Sequence, residues 1–288
     1  MEWLRRLAVA AGPALVDVHA DADHHRSVFT LAEVEPEGTI EGARALAATV
    51  ADDGSLVGHE GVHPRLGALD VVPFVAIGGG TEQAEAVDAA RQFGQWWAAE
   101  FAVPVFFYDA ADPMARSLPS VRADAFEQRH PDFGPPRPHP RLGATAVGAR
   151  KPLIACNCVL LSDDVTVARR IAHEVRERDG GLPGVRALGF ALREPCWAQV
   201  SINLVDLDRI GLEATVERVR FLARRFGTEV AALELVGLLP RAEFERCSEA
   251  FLAWAGIDRS ATVEARVGEG PRWWPGDPVP GCGPATGS

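Results

Sequence analysis

Residues 153–255 alternate two apolar periods in one order, and that order limits the folds open to the chain. Period-two runs predict strands over Leu153–Leu161, Val185–Leu192, Trp197–Asp206 and Glu229–Val236. Helical spacing of Val167, Ile171 and Val175 predicts a helix over Asp163–Arg178. Leu212, Val216, Val219 and Phe226 predict another over Gly211–Phe226, and a last helix is expected over Arg241–Ala255. The resulting β-α-β-β-α-β order is that of a ferredoxin-like split βαβ unit. The first half reads α-β-β-α-β-α-β, with strands over Ala14–His19, Arg26–Val34, Asp70–Ile77 and Val103–Tyr108. Its best helical pattern is Val87, Ala90, Trp97 and Phe101, behind a cap at Thr81. The expectation is an α+β protein of two ferredoxin-like α/β-sandwich subdomains with mainly antiparallel sheets, residues 1–150 and 151–260. Asp109–Gly143, rich in Pro, Arg and His, is expected to be a long ordered connection. The Pro-, Gly- and Trp-rich residues 268–288 are expected to be a disordered tail.

The bulk properties exclude several classes. With 288 residues, 47% of them hydrophobic, the chain can bury a sizeable core. No apolar run approaches the roughly 18 residues of a membrane span. Met1–Gly12 carries Arg5 and Arg6 and no sustained apolar core, so it reads as a helix rather than a signal peptide. The five cysteines follow no framework spacing, which fits free thiols in a cytoplasmic protein. A formal net charge of −11 argues against non-specific nucleic-acid binding and against anionic membranes. An anionic substrate would have to be met by local arginines.

The stretch from His59 to Asp70 carries two readings. His59-Glu60-Gly61-Val62-His63 matches the His-Glu-x-x-His zinc pattern. That chemistry needs a helix, so that the two imidazoles share one face. Gly58 and Gly61 each cost about 1 kcal/mol in a helix, and Pro64 pushes His63 out of the α region. A loop entering a strand fits better, and no metal is expected. Within it, His63-Pro64-Arg65-Leu66-Gly67-Ala68 recurs letter for letter as His139-Pro140-Arg141-Leu142-Gly143-Ala144. If both copies face one cleft, they supply two imidazoles and two guanidiniums to one anion. Coincidence in an Ala-, Arg- and Gly-rich chain is the alternative.

His63-Pro64-Arg65-Leu66-Gly67-Ala68-Leu69-Asp70 also resembles the active-site segment of glutamate formiminotransferases. Further blocks are similar to that family in the right order. They are Leu15–Leu31 with His25-Arg26-Ser27-Val28-Phe29-Thr30, Asp132-Phe133-Gly134-Pro135, and Gly143–Lys151. Ala198–Leu204 and Leu235–Pro240 complete the set. The resemblance implies a formiminotransferase N-terminal-like subdomain over residues 1–150 and a C-terminal-like one over 151–260.

It also implies folate-dependent one-carbon transfer, of a formimino or formyl group from N-formimino-glutamate to tetrahydrofolate as co-substrate. His63 would be the general base, since imidazole titrates near neutrality. His25, Arg26 and Arg65 would bind the amino-acid donor. Gly143, Ala144, Thr145, Ala146, Val147, Gly148, Ala149 and Arg150 would bind folate, with Gln199, Ser201 and Asn203. Reduced folate is expected between the subdomains, and a homodimer is possible. Three departures stand beside this. The sequence opens at the helix after the family's first strand, His19 stands where the family has an aspartate, and Val62 stands where an acidic residue often precedes the histidine. A non-catalytic folate-binding relative is the alternative function.

Two features are read from the residues alone. Trp197–Asp206 alternates apolar residues with the neutral polar set Gln199, Ser201 and Asn203, as a ligand-lining or interface face would. Gly78-Gly79-Gly80 suggests a phosphate cradle but lacks a P-loop Lys-Ser/Thr, and reads as a strand-to-helix turn.

Overall fold

The computed structural model describes residues 2–21, 25–59, 65–77, 83–192, 197–267 and 269. His63, Thr81, the Gly78–Gly80 turn, Cys196, Cys282 and the expected tail beyond 269 lie outside the described residues. The elements are α1 (Glu2–Ala11), β1 (Leu15–Asp21), β2 (Arg26–Leu31), α2 (Pro36–Asp53), β3 (Val71–Phe74) and α3 (Gln83–Phe101). They continue with β4 (Val105–Asp109), α4 (Leu118–Asp124), β5 (Thr145–Ala149), β6 (Ile154–Leu160), α5 (Val165–Val175) and β7 (Val185–Ala191). The last elements of the described residues are β8 (Ala198–Leu204), α6 (Leu212–Arg225), β9 (Val230–Val236), α7 (Arg241–Arg246), α8 (Glu249–Ala255) and α9 (Val263–Arg266). The α+β class holds. Two compact units form: one from Met1–Leu15, His24–Arg26 and Leu31–Lys151, the other from Val16–Asp23, Ser27–Thr30 and Pro152–Ser288. The strand pair β1–β2 thus falls mostly to the second unit.

The second unit carries the expected sheet. Its order is β7-β8-β6-β9, and all three pairings are antiparallel. Ile154, Cys156, Cys158 and Leu160 of β6 and Ala198, Val200, Ile202 and Leu204 of β8 point to one side. There they meet Ile171 and Val175 of α5 and Val216, Val219 and Leu222 of α6. Burial pushes the Cys156 thiol up to about 12 and Cys158 well up too, so both stay protonated. The expected last helix breaks in two at Cys247–Ser248. Ser248 caps α8 by accepting the Phe251 N–H at 3.2 Å, while Glu213 takes the Ser248 N–H and hydroxyl.

The first unit departs from the antiparallel expectation. Its sheet runs β3-β5-β4, and both pairings are parallel. The connections explain this: α3 links β3 to β4, and the 110–144 segment with α4 links β4 to β5, each long enough for a crossover. Strand β5 was not legible, because its Ala and Gly residues have low strand propensity. They are small for a reason. All five residues are buried, and a side chain at Gly148 would overlap the Tyr108 ring.

The 109–143 connection is ordered through one ion cluster. Arg129 bonds Asp132 at 2.7 Å and lies 3.7 Å from Asp112, which Arg116 also bonds at 2.7 Å. Asp132 in turn accepts the Phe107 N–H, pinning the segment to β4. Burial alone would raise Asp112. The Arg116 hydrogen bond, the Met114 and Arg116 amides and the Arg129 charge outweigh it and hold the carboxyl at about 2. A folded value below the ordinary 3.8 contributes stability above that ordinary value, lost as pH falls through about 2. Asp112→Asn is therefore expected to cost about 3 kcal/mol at neutral pH. Urea midpoints of the variant and the native chain should converge toward pH 2; a gap that stays constant with pH would refute the assignment.

Candidate functional site

In the first unit the two hexapeptide copies pair with each other. Ala68 donates to the Leu142 carbonyl and Ala144 to the Leu66 carbonyl, both at 2.9 Å, around an antiparallel bridge between Gly67 and Gly143. The glycines are required there, since a Cβ on either would overlap backbone carbonyl oxygen of the other copy. Gly143 also sits at φ +72°. The second copy does not offer its cations to a ligand. Arg141 donates to the Ala51, Asp52 and Gly54 carbonyls, closing the C-terminus of α2. The His139 Nδ1 accepts the Arg141 and Leu142 N–H groups. The repeat is thus a matched structural clasp, and the picture of two guanidiniums on one anion is corrected.

The expected folate segment also changes character. Gly143, Ala144, Thr145, Ala146, Val147, Gly148 and Ala149 enter and form the central strand of the sheet. The Thr145 hydroxyl donates to Leu69 O at 2.8 Å and accepts from the Trp97 indole at 2.9 Å. Backbone groups of the segment are taken up by Leu66, Pro104, Asp70 and Ala110. Only Arg150, just past the strand end, is part-exposed. It hydrogen-bonds Tyr108, whose burial pushes its phenol up to about 12.

Three of the residues predicted or weighed for chemistry meet in the first unit. His25 stacks on His59, with ring centroids 4.6 Å apart. Arg65 donates to the His25 carbonyl at 2.7 Å. His25 holds φ +48°, an uncommon backbone for a non-glycine residue. Burial, then the Arg65 charge and then His25 push His59 below the ordinary imidazole value. His59 follows Gly58 at φ +75°, outside α2, and the rest of the His59–His63 stretch lies outside the described residues. Behind the cluster, Asp70 accepts the Leu66 N–H at 2.6 Å and an ion-pair bond from Arg122. Burial raises Asp70 against those partners. Nothing in the sequence pointed to Arg122, which arrives from α4.

In the second unit the sheet face opposite the helices carries a group of polar residues among apolar ones. By register Asn157, Ser201 and Glu234 lie abreast, with Gln199 and Asn203 along β8. Gln199 is 2% exposed, and its Nε2 has no hydrogen-bond partner. Asn157 donates to Glu234 Oε2 at 2.8 Å. His19, from β1, is 8% exposed with Nε2 3.5 Å from Glu234 Oε1. Asn157 and Glu234 were missed, although each is the lone polar residue in an otherwise apolar strand. Among the described residues no three His, Cys, Asp or Glu side chains gather as a metal site, and no helix is long and apolar enough to cross a membrane.

Comparison with known proteins decides the family. Residues 4–150 match the formiminotransferase domain N-terminal subdomain, and residues 155–258 match the formiminotransferase domain. The chain belongs to the formiminotransferase family. It is 36% identical to the glutamate formimidoyltransferase of Streptococcus pyogenes, over 86% of each chain. It is 32% identical to that of Thermoplasma acidophilum, over 88% of this chain and 87% of the relative. Against the mouse formimidoyltransferase-cyclodeaminase the identity is 38% over 82% of this chain, which covers 46% of that longer protein. This formiminotransferase-family chain thus aligns across both of its units.

Proposed function

We propose that this chain transfers the formimino group of N-formimino-glutamate to N5 of tetrahydrofolate. The observation that carries the reading is the match of both formiminotransferase subdomains in order, over residues 4–150 and 155–258. His63 is the general base that takes the N5 proton as the nitrogen attacks the amidine carbon. The His25, Arg26 and Arg65 group meets the carboxylates of the donor, a local positive cluster on a chain of net charge −11. Gln199, Ser201 and Asn203 face the folate, and Arg150 attracts its glutamate tail. The buried, unbonded Gln199 amide supports this, because a donor removed from water costs free energy until an acceptor reaches it. Tetrahydrofolate acts as co-substrate rather than resident cofactor. A reducing cytoplasm suits the buried Cys156 and Cys158 thiols.

Formation of 5-formiminotetrahydrofolate and free glutamate from the two substrates tests the reading directly. Binding gives a second measure. Tetrahydrofolate at a hundredfold its Kd is expected to add about 2.7 kcal/mol to the stability of the native chain. Gln199→Leu should shrink that gain measured at the same concentration, while leaving the unliganded protein folded. An undiminished shift would remove Gln199 from the site, and no product with either formimino or formyl donors would sink the proposed reaction.

A further inference from the structure

His63, the proposed base, accounts for one of the two proton transfers that formimino transfer needs. The nitrogen of the departing glutamate must also gain a proton. The second unit holds a group built for this. His19 is 8% exposed, and its Nε2 has no hydrogen-bond partner. A buried imidazole nitrogen left unbonded is costly, and proteins keep such groups where a ligand completes them. Glu234 Oε1 stands 3.5 Å from that nitrogen, close enough for charge attraction but not aligned as a hydrogen bond. Asn157 fixes the other carboxylate oxygen at 2.8 Å, so the carboxylate is held in place beside the ring. Asp17, two residues before His19 on β1 and 1% exposed, lies on the same side of the strand. Glu234 itself is about one third open, with 35% of its side chain exposed, which leaves a route for proton exchange with solvent.

Resting on the reading above, we propose that His19 is the proton donor of the transfer and that Glu234, held by Asn157, positions it. As the bond between the amidine carbon and the glutamate nitrogen breaks, its electron pair stays on that nitrogen. His19 Nε2 gives its proton to the pair, and glutamate leaves as the amine. The imidazole regains a proton from solvent past Glu234. With the N5 proton taken by His63, one proton is removed and one delivered for each group moved. Glu234 does not touch the substrate; it acts through His19.

The test is chemical rescue in the full chain. His19→Ala is expected to lower kcat about a hundredfold, with a much smaller change in the KM for tetrahydrofolate. Added imidazole should restore part of the rate, and the restored rate should vary with the basicity of substituted imidazoles. Glu234→Gln should also lower kcat, and Glu234→Asp should recover part of it. His19→Gln controls for folding, because it fills the same space without an acid. Full kcat in His19→Gln overturns the proposal. So does a folded His19→Ala protein whose lost rate no imidazole restores, since that marks a packing role. A native chain that transfers no formimino group refutes the functional reading instead, and is told apart because the unsubstituted protein is then inactive.

Discussion

His63→Ala is expected to lower kcat by about 10²–10⁴-fold, the span that follows loss of a positioned acid–base group. The pH–rate profile of the native chain should be bell-shaped, rising on its acid side as the proposed base loses its proton and falling on its alkaline side as the proposed donor loses its own. The proposed base would act as N5 attacks, so its loss should fall on kcat and kcat/KM together rather than on ground-state binding. Arg65 does different work. It carries a cation beside the His25–His59 stack, where its bond to His25 O holds that turn in place. Steady-state kinetics with N-formimino-glutamate and tetrahydrofolate check the His63 prediction. Undiminished turnover in the His63 variant would remove it from the chemistry.

The largest stability effect is expected at Gly67. Its missing side chain is what lets the two hexapeptide copies lie against each other. A methyl group there would overlap the Ala144 carbonyl oxygen and stand 2.7 Å from the Leu142 oxygen, both backbone atoms that cannot swing aside. The bridge would have to open, taking with it the paired N–H groups of Ala68 and Ala144. Gly67→Ala should cost about 3 kcal/mol or more. Gly58→Ala serves as the contrast, because a Cβ at Gly58 meets open space and only its φ of +75° resists. That change should cost about 1 kcal/mol. Equilibrium urea unfolding of both variants reads the difference. A Gly67 variant as stable as the Gly58 variant would show that the clasp does not depend on close approach.

Much of the architecture was legible because the apolar periods are strong. Eight strands were expected, and each has a counterpart among the nine found in the described residues; the helices α3, α5 and α6 stand where their spacing put them. The second-unit sheet follows from the β-α-β-β-α-β order, since two crossover helices and a hairpin admit few pairings. The polar face of β8 was visible too, in the alternation of Gln199, Ser201 and Asn203 with apolar neighbours. The parallel sheet of the first unit was not. Strand β5 has Ala or Gly at three of its five positions, and its burial on both faces comes from partners far along the chain.

The hexapeptide repeat shows the same boundary. Its presence, the choice of glycine at 67 and 143 and the resemblance to formiminotransferases were all in the sequence. Its meaning was not, because identical letters took different partners. Arg141 found the free carbonyls at the end of α2, while Arg65 found the carbonyl of His25. Likewise His19 read as a departure from a family pattern, and its pairing with Glu234 joins residues from opposite ends of the chain. Local propensity and hydrophobic period act over a few residues and so decide elements and faces. Which charges meet depends on desolvation and distance between segments remote in sequence, and only the folded chain sets those.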